Sequence, residues 1–75
     1  MKFEEIQQEQ EFVKQGDQYD SQGLYEQALA AYDSALGIDP EDADAWYDKG
    51  ETLAKLGRAA EAQSCCQFAI ELYCA

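Results

Sequence analysis

The sequence predicts an all-α fold, and three observations support that prediction. No stretch alternates apolar and polar residues with the period of two that a half-buried strand requires. The single proline, Pro40, and the glycines Gly23 and Gly57 fall where helical stretches would end. The third and strongest observation is that the sequence repeats itself after 34 residues. Each repeat unit is long enough for two helices, so we expect four helices.

The 34-residue repeat superimposes glycines, alanines and large apolar residues of the two halves. The matched pairs are Gly16 with Gly50, Gly23 with Gly57, Ala28 with Ala62, Ala35 with Ala69, Phe12 with Trp46, Tyr19 with Leu53, Leu36 with Ile70, and Ile38 with Leu72. Chance could supply one or two such matches, but not eight in one register.

The expected helices span residues 4–22, 25–37, 43–56 and 59–73. Pro40 ends the second helix because proline cannot continue the hydrogen-bond ladder, and Gly37 weakens its last turn. Asp42 is a suitable N-cap for the third helix. Gly23 and Gly57 mark the turn inside each unit, where a positive φ is expected.

Small residues and aromatic residues predict how the helices pack. Glycine inside a helix costs about 1 kcal/mol relative to alanine, so Gly16 and Gly50 indicate close approach of a neighbouring helix. Four repeated alanines provide small surfaces for that approach, and four aromatic residues are expected to fill the space between helices. The alanines are Ala28, Ala35, Ala62 and Ala69, and the aromatics are Phe12, Tyr19, Tyr32 and Trp46.

Length and charge exclude several classes of function. The chain has 75 residues, 5 Lys or Arg, 16 Asp or Glu, no histidine and a formal net charge of −11. This length allows one domain. Such acidity argues against binding nucleic acid or an anionic membrane surface. No stretch approaches the roughly 20 consecutive apolar residues of a membrane span, and the N-terminus lacks the apolar core of a signal peptide.

At these positions the sequence resembles the tetratricopeptide repeat, whose 34-residue pattern contains W-x2-L-G-x2-Y, then A-x3-F, then A and P. The first unit matches at Phe12, Gly16, Tyr19, Ala28, Tyr32, Ala35 and Pro40, and the second at Trp46, Gly50, Leu53, Ala62 and Ala69. The departures are Gln15 and Lys49 in place of leucine, Cys66 in place of the aromatic, and Cys74 in place of proline. The resemblance covers residues 9–75. It divides the chain into an N-terminal helical extension (1–8), repeat 1 (9–42) and repeat 2 (43–75).

The resemblance implies two right-handed helical hairpins stacked as a short α-solenoid, without a C-terminal capping helix. The first helix of each hairpin would line a concave groove that binds a peptide or a partner protein. Carried over by position, the groove residues are Val13, Asp17, Asp20, Tyr47, Asp48, Glu51 and Lys55. Some members read a C-terminal carboxylate with Lys and Asn, but Val13, Asp17 and Asp48 stand at those positions here. An acidic groove should prefer a basic or neutral ligand.

Two alternatives concern the acidic and apolar residues of the first helix. The groove acids could instead belong to a generally acidic solvated surface, and Glu4, Glu5, Glu9 and Glu11 are interpreted as a solvated helix face. Phe3 and Ile6 fall on one stripe with Val13. Phe3 and Ile6 are expected to extend an apolar strip along the edge of the groove, and this strip either binds a partner or covers the end of the stack.

The last helix carries apolar residues on more than one face, which predicts self-association, most simply as a homodimer. The residues expected at that interface are Cys65, Phe68, Ala69, Ile70, Leu72 and Tyr73. The alternative is that the chain is an excised or designed piece whose next element has been removed.

The three cysteines, Cys65, Cys66 and Cys74, are interpreted as small packing residues. They form no C-x-x-C pair, so no metal and no cofactor are expected. Their odd number favours a reducing, cytoplasmic setting. No nucleophile–base pair or phosphate loop is evident, which argues against an enzyme.

The leading hypothesis is a non-enzymatic protein-interaction module that binds a basic or neutral segment in an acidic groove. The alternatives are a minimal self-assembling scaffold with no separate ligand and, third, a thiol-based metal or redox site.

Overall fold

The repeat units fold into consecutive helical hairpins. The computed structural model describes residues 2–75. Its helices are α1 (Phe3–Ser21), α2 (Tyr25–Ile38), α3 (Ala43–Lys55) and α4 (Ala59–Cys74). Helix α1 packs on α2, α3 packs on α4, and α2 packs on α3, so the hairpins stack in chain order. The predicted all-α class is confirmed, and every helix boundary lies within one residue of its expected position.

The ends of the helices depend on the residues singled out by the repeat. Gly23 and Gly57 have φ angles of 79° and 80°, a conformation that costs other residues about 1–2 kcal/mol. The turns they form are the same, because the Leu24 amide donates to the Tyr19 carbonyl and the Arg58 amide to the Leu53 carbonyl, both at 2.9 Å. Asp42 caps α3, as predicted, by accepting a hydrogen bond from the Ala45 amide at 3.2 Å.

The mid-helix glycines allow two close contacts. A Cβ atom at Gly16 would lie 2.5–2.8 Å from three ring atoms of Tyr32, and one at Gly50 would lie 2.5 Å from Cys66 Sγ. Tyr32 and Cys66 occupy the same position in the two repeats. The expectation that a neighbouring helix approaches closely at both glycines is therefore confirmed.

The core is built mainly from α2, α3 and α4. Its buried apolar residues are Ala28, Leu29, Ala31, Tyr32, Ala35, Leu36, Ala45, Leu53, Ala62, Cys65 and Ala69. The cluster of Leu29, Leu53, Ala62 and Cys65 joins the two hairpins, with Trp46 and Leu56 packed against it. Of the aromatic residues expected between helices, Tyr19 is the exception, since 36% of its surface is exposed.

No helix among residues 2–75 is both long enough and apolar enough to cross a membrane.

Candidate functional site

Helix α1 and the start of α3 enclose an open cavity that is rich in carboxylates. Its volume is about 540 Å³. The cavity is lined by Ile6, Glu9, Gln10, Val13, Lys14, Asp17, Asp39, Asp42 and Asp44. We call this surface, together with the adjoining Asp48, the acidic groove. Its residues come from α1, the α2–α3 connection and α3, so the stacking of the two repeats creates it.

Glu9 lies at the base of the acidic groove. Only 5% of its surface is exposed, which shows that the expectation of a solvated position was wrong for this glutamate. Burial raises the pKa of Glu9 to about 8, assisted by a side-chain hydrogen bond with Asp42 and by the negative charges of Asp42, Asp39 and Asp44. Glu9 Oε1 has no hydrogen-bond partner within residues 2–75.

A second pair of carboxyl groups meets further along α1 and α3. Burial, together with the charges of Asp17 and Glu51, raises the pKa of Asp48 to about 7. Asp17 in turn accepts a hydrogen bond from the Tyr32 hydroxyl at 2.6 Å. Burial and this bond raise the pKa of Tyr32. The groove thus contains two sites where neighbouring carboxyl groups disfavour full ionisation.

At the third contact between α1 and α3, a positively charged side chain balances the negative charge of the carboxylate. Asp20 accepts hydrogen bonds from the Thr52 hydroxyl and from Lys55 Nζ, each at 2.5 Å. Burial alone would raise the pKa of Asp20, but the bonds from Lys55 and Thr52 outweigh it and lower the pKa. Thr52 is fully buried. This end of the α1–α3 surface therefore carries an ion pair between the repeats instead of free acidic charge.

The residues predicted for the groove do not all share one cavity. Val13 and Asp17 line it, and Asp48 lies beside Asp17. Asp20 and Lys55 are bound to each other. Tyr47 and Glu51 are exposed and do not line the cavity. Of the apolar stripe, Ile6 lines the cavity, whereas Phe3 is 71% exposed and does not.

Sequence reasoning missed Glu9, Thr52 and the three aspartates Asp39, Asp42 and Asp44. The signal for Glu9 was present, because it precedes Val13 by four residues and Asp17 by eight, on one helix face. The signal for Asp39 and Asp42 was absent, since helical periodicity does not specify the path of a connection. Asp42 was expected only to cap α3, and it also lines the cavity.

The last helix exposes a smaller apolar surface than the sequence suggested. Phe68, Ile70 and Tyr73 are 41%, 55% and 57% exposed, and Leu72 is half-buried. Cys65 and Ala69 were expected at an interface, but they lie in the core and cannot contact a partner without unfolding. Phe68 also packs edge-on against Trp46, with ring centroids 4.9 Å apart.

The two repeats differ most clearly at one matched position. Leu36 is 8% exposed, whereas Ile70, its equivalent 34 residues later, is 55% exposed. Helix α3 packs on α2, where Leu36 lies. The surface around Ile70 is thus the exposed counterpart of a surface that is buried in repeat 1.

The three cysteines are free thiols of decreasing burial along α4. Cys65 is buried, Cys66 is intermediate and Cys74 is exposed. Burial raises the pKa of the Cys65 thiol, which makes it a poor nucleophile. Within residues 2–75, no group of three or more Cys, Asp or Glu side chains is arranged to hold a metal ion.

Stacked helical hairpins with an open groove define an α-helical repeat protein of the protein-interaction class. The comparisons with known families agree. A family described as "TPR repeat" matches residues 16–57, and one described as "Tetratricopeptide repeat" matches residues 43–73. The chain belongs to the tetratricopeptide repeat family.

The chain is similar to parts of two curated proteins that it covers to very different extents. Over 47 residues the chain is 45% identical to zinc finger CCCH domain-containing protein 7B of Homo sapiens. That alignment covers 63% of this chain and 5% of the human protein, so the chain corresponds to a small part of it. Over 62 residues it is 34% identical to the uncharacterized protein MJ0572 of Methanocaldococcus jannaschii, covering 83% of this chain and 72% of that protein.

Proposed function

We propose that the chain is a non-enzymatic interaction module that binds a basic or neutral peptide segment in the acidic groove. The observation that carries this proposal is the pairing of carboxyl groups across α1 and α3, at Glu9 with Asp42 and at Asp17 with Asp48. Within residues 2–75 neither pair has an ion-pair partner, although three ion pairs form elsewhere. A cationic ligand would supply the missing counter-charge.

Electrostatics favour such a ligand over an anionic one. Carboxylates held close together in a partly buried site repel one another, and an incoming cation relieves that repulsion. The net charge of −11 would also attract a basic ligand before contact. A peptide carrying a free C-terminal carboxylate and no basic residue would meet repulsion from the same groups. A cytoplasmic setting, which keeps thiols reduced, suits the three free cysteines.

The groove proposal predicts charge-dependent peptide binding. A fluorescein-labelled peptide of alternating lysine and alanine should bind at low salt, and the matching glutamate peptide should not. The double variant Asp39→Asn/Asp44→Asn should weaken binding by about tenfold, because it removes two groove charges. Fluorescence anisotropy titrations at several salt concentrations provide the measurement.

The control for that experiment changes the net charge equally outside the groove. Glu4→Gln/Glu71→Gln alters two exposed glutamates that do not line the cavity. It should weaken binding by less than about twofold, since distant charges are screened. Equal losses from both double variants would mean that the acids act only as a general acidic surface, and the groove proposal would be wrong.

We also propose that the chain forms a homodimer through the exposed apolar residues of α4. The support is the contrast between Leu36, which is buried, and Ile70, its exposed equivalent in repeat 2. A second copy could cover the face around Ile70, together with Leu72 and Tyr73. A dimer that bound no peptide would favour the alternative of a self-assembling scaffold with no separate ligand.

The dimer proposal predicts a concentration-dependent mass. Sedimentation velocity should show a shift from monomer to dimer as the concentration rises, and Ile70→Lys should abolish that shift because it buries a charge in the interface. Leu24→Lys is the control, since Leu24 is similarly apolar and 40% exposed but lies in the α1–α2 turn. A wild-type chain that stays monomeric at every concentration would contradict the proposal.

A further inference from the structure

The side chain of Glu9 is buried with one of its two carboxyl oxygens left without a hydrogen-bond partner among the described residues. Its surface is 5% exposed, and its Oε1 atom has no hydrogen-bond partner within residues 2–75. An unsatisfied buried polar atom is destabilising, so native structures rarely retain one without a reason. Glu9 lines the cavity of about 540 Å³, so a ligand entering that cavity would lie beside this side chain.

The side chains around Glu9 are mainly acidic. Asp42 is its nearest acidic neighbour, and Asp42 Oδ1 already accepts a hydrogen bond from the Ala45 amide. Asp39 and Asp44 add negative charge from the α2–α3 connection and from α3, and Asp17 does so from α1. Lys14 also lines the cavity, but no ion pair joins it to these carboxylates in the described residues.

We propose that Glu9 and Asp42 form an anchoring subsite for one basic side chain, lysine or arginine, of the bound peptide. The inference rests on the proposed peptide-binding function of the groove. The ammonium or guanidinium group would donate to Glu9 Oε1 and to the Asp42 carboxylate. Its aliphatic stem would lie against Ile6 and Val13, which line the same cavity. Long basic side chains commonly bury their stems in this way while the charged head meets a carboxylate.

The composition of the cavity favours a side chain over a bare ion. A calcium or magnesium ion takes six or more oxygen ligands in a compact shell. Within residues 2–75, no three carboxylates or thiols are arranged to form such a shell. The cavity is lined by two aliphatic side chains as well as by carboxylates, which fits an amphipathic ligand group instead.

Binding at this subsite should release a proton. Burial raises the pKa of Glu9 to about 8, so the free chain holds a proton on this carboxyl group at neutral pH. A bound cation favours the ionised form, so the proton passes to the buffer as the ligand enters. The affinity should therefore rise as the pH increases from about 6 to about 8, with Asp17, Asp39, Asp42, Asp44 and Lys14 as the charged groups facing the site.

The experiment combines calorimetry with NMR on the intact chain. The lysine–alanine peptide is titrated at neutral pH in two buffers of different ionisation enthalpy, which gives the number of protons released. N-acetyl-arginine amide and N-acetyl-lysine amide are titrated by NMR, with the uncharged N-acetyl-citrulline amide as control. The variants are Glu9→Gln, the matched Glu11→Gln on the exposed face of α1, and Lys14→Gln.

The expected results separate the subsite from a general charge effect. Glu9→Gln should weaken peptide binding by about tenfold and reduce the release of protons to what Asp48 alone supplies. Glu11→Gln should change the affinity by less than about twofold, because that group is exposed and screened. Lys14→Gln should strengthen binding, since it removes a competing cation. The arginine or lysine derivative should shift the Ile6 and Val13 resonances, and the citrulline derivative should not.

Two outcomes distinguish failure of the anchor from failure of the groove. If the peptide binds wild type and Glu9→Gln equally, with equal proton release in both, the anchor is wrong while the groove proposal stands. If no peptide binds, yet the single-residue cations bind in a manner that depends on Glu9, the groove proposal is wrong while the anchor stands. If neither probe binds, both are overturned.

Discussion

Raising the pH from about 5 to about 9 is expected to lower the free energy of unfolding, by up to about 1.4 kcal/mol for each pH unit over which a carboxyl group stays protonated only in the folded chain. The physical reason is that two carboxyl groups hold their protons more tightly in the folded chain than in the unfolded chain. The pKa of Glu9 is raised from 4.5 to about 8, and that of Asp48 from 3.8 to about 7. Burial is the largest cause in both cases, followed for Glu9 by the bond with Asp42 and for Asp48 by the charge of Asp17.

The sign of this dependence follows from which state binds more protons. Between the unfolded and the folded pKa values, the folded chain holds protons that the unfolded chain has lost. The stabilisation from Glu9 and Asp48 is complete below about pH 4 and is lost as the pH rises through about 7 and about 8. Asp20 acts in the opposite direction, because its pKa is lowered in the folded chain, and its contribution is lost in acid. The free energy of unfolding should therefore be greatest in mildly acidic solution, above the pH at which Asp20 gains a proton and below the pH at which Glu9 and Asp48 lose theirs.

Urea denaturation at three pH values between about 5 and about 9 tests this prediction. Glu9→Gln should remove about half of the dependence and should be more stable than wild type at the highest pH, because glutamine mimics the protonated carboxyl group. Glu11→Gln changes the net charge equally at an exposed position and should leave most of the dependence in place. A wild-type chain that is more stable at about pH 9 than at about pH 5 would contradict the assignment.

Gly16→Ala is expected to cost about 2 kcal/mol of stability, although alanine is the better helix former by about 1 kcal/mol. The added Cβ would lie 2.5, 2.7 and 2.8 Å from Cε1, Cδ1 and Cζ of Tyr32. That ring cannot move away easily, since Tyr32 is 1% exposed and its hydroxyl is bound to Asp17. For a chain of this size the midpoint of thermal unfolding should fall by about 10 °C.

Gly37→Ala is the matched control, with an expected effect of opposite sign. Gly37 lies inside α2, has no atom within 4 Å of the added Cβ, and does not have a positive φ. The substitution should therefore gain up to about 1 kcal/mol from helix propensity alone. Thermal unfolding followed by circular dichroism measures both variants. If Gly16→Ala proved as stable as Gly37→Ala, the close packing of α1 on the Tyr32 ring would be wrong.

The fold could be predicted from the sequence because each signal for a helix or a turn occurs at equivalent positions in both repeats. Gly23 and Gly57 marked equivalent turns, and Gly16 and Gly50 marked equivalent close contacts, so each assignment was checked by its partner. Pattern matching located the helices to within one residue for the same reason. The contact between repeats at Asp20 and Lys55 joins residues 35 positions apart. Both were expected on one surface, but their direct pairing depends on the stacking geometry.

Only part of the acidic groove could be predicted from the sequence, because the burial of a side chain depends on the segment that packs against it. Glu9 shares a run of glutamates with exposed neighbours, and its own burial results from the α2–α3 connection that lies against it. No local pattern encodes that neighbour. The misplacement of Cys65 and Ala69 has a related cause, because an apolar helix face looks the same in sequence whether α3 or another chain covers it.

The fluorescence of the single tryptophan, Trp46, can be used to follow unfolding of one part of the molecule. Trp46 donates from its indole nitrogen to the Pro40 carbonyl at 2.7 Å and packs edge-on against Phe68. Its fluorescence therefore senses the junction between the repeats and the second hairpin, while circular dichroism senses all four helices. Comparison of the two signals during unfolding would reveal whether the repeats melt as one cooperative unit or in sequence.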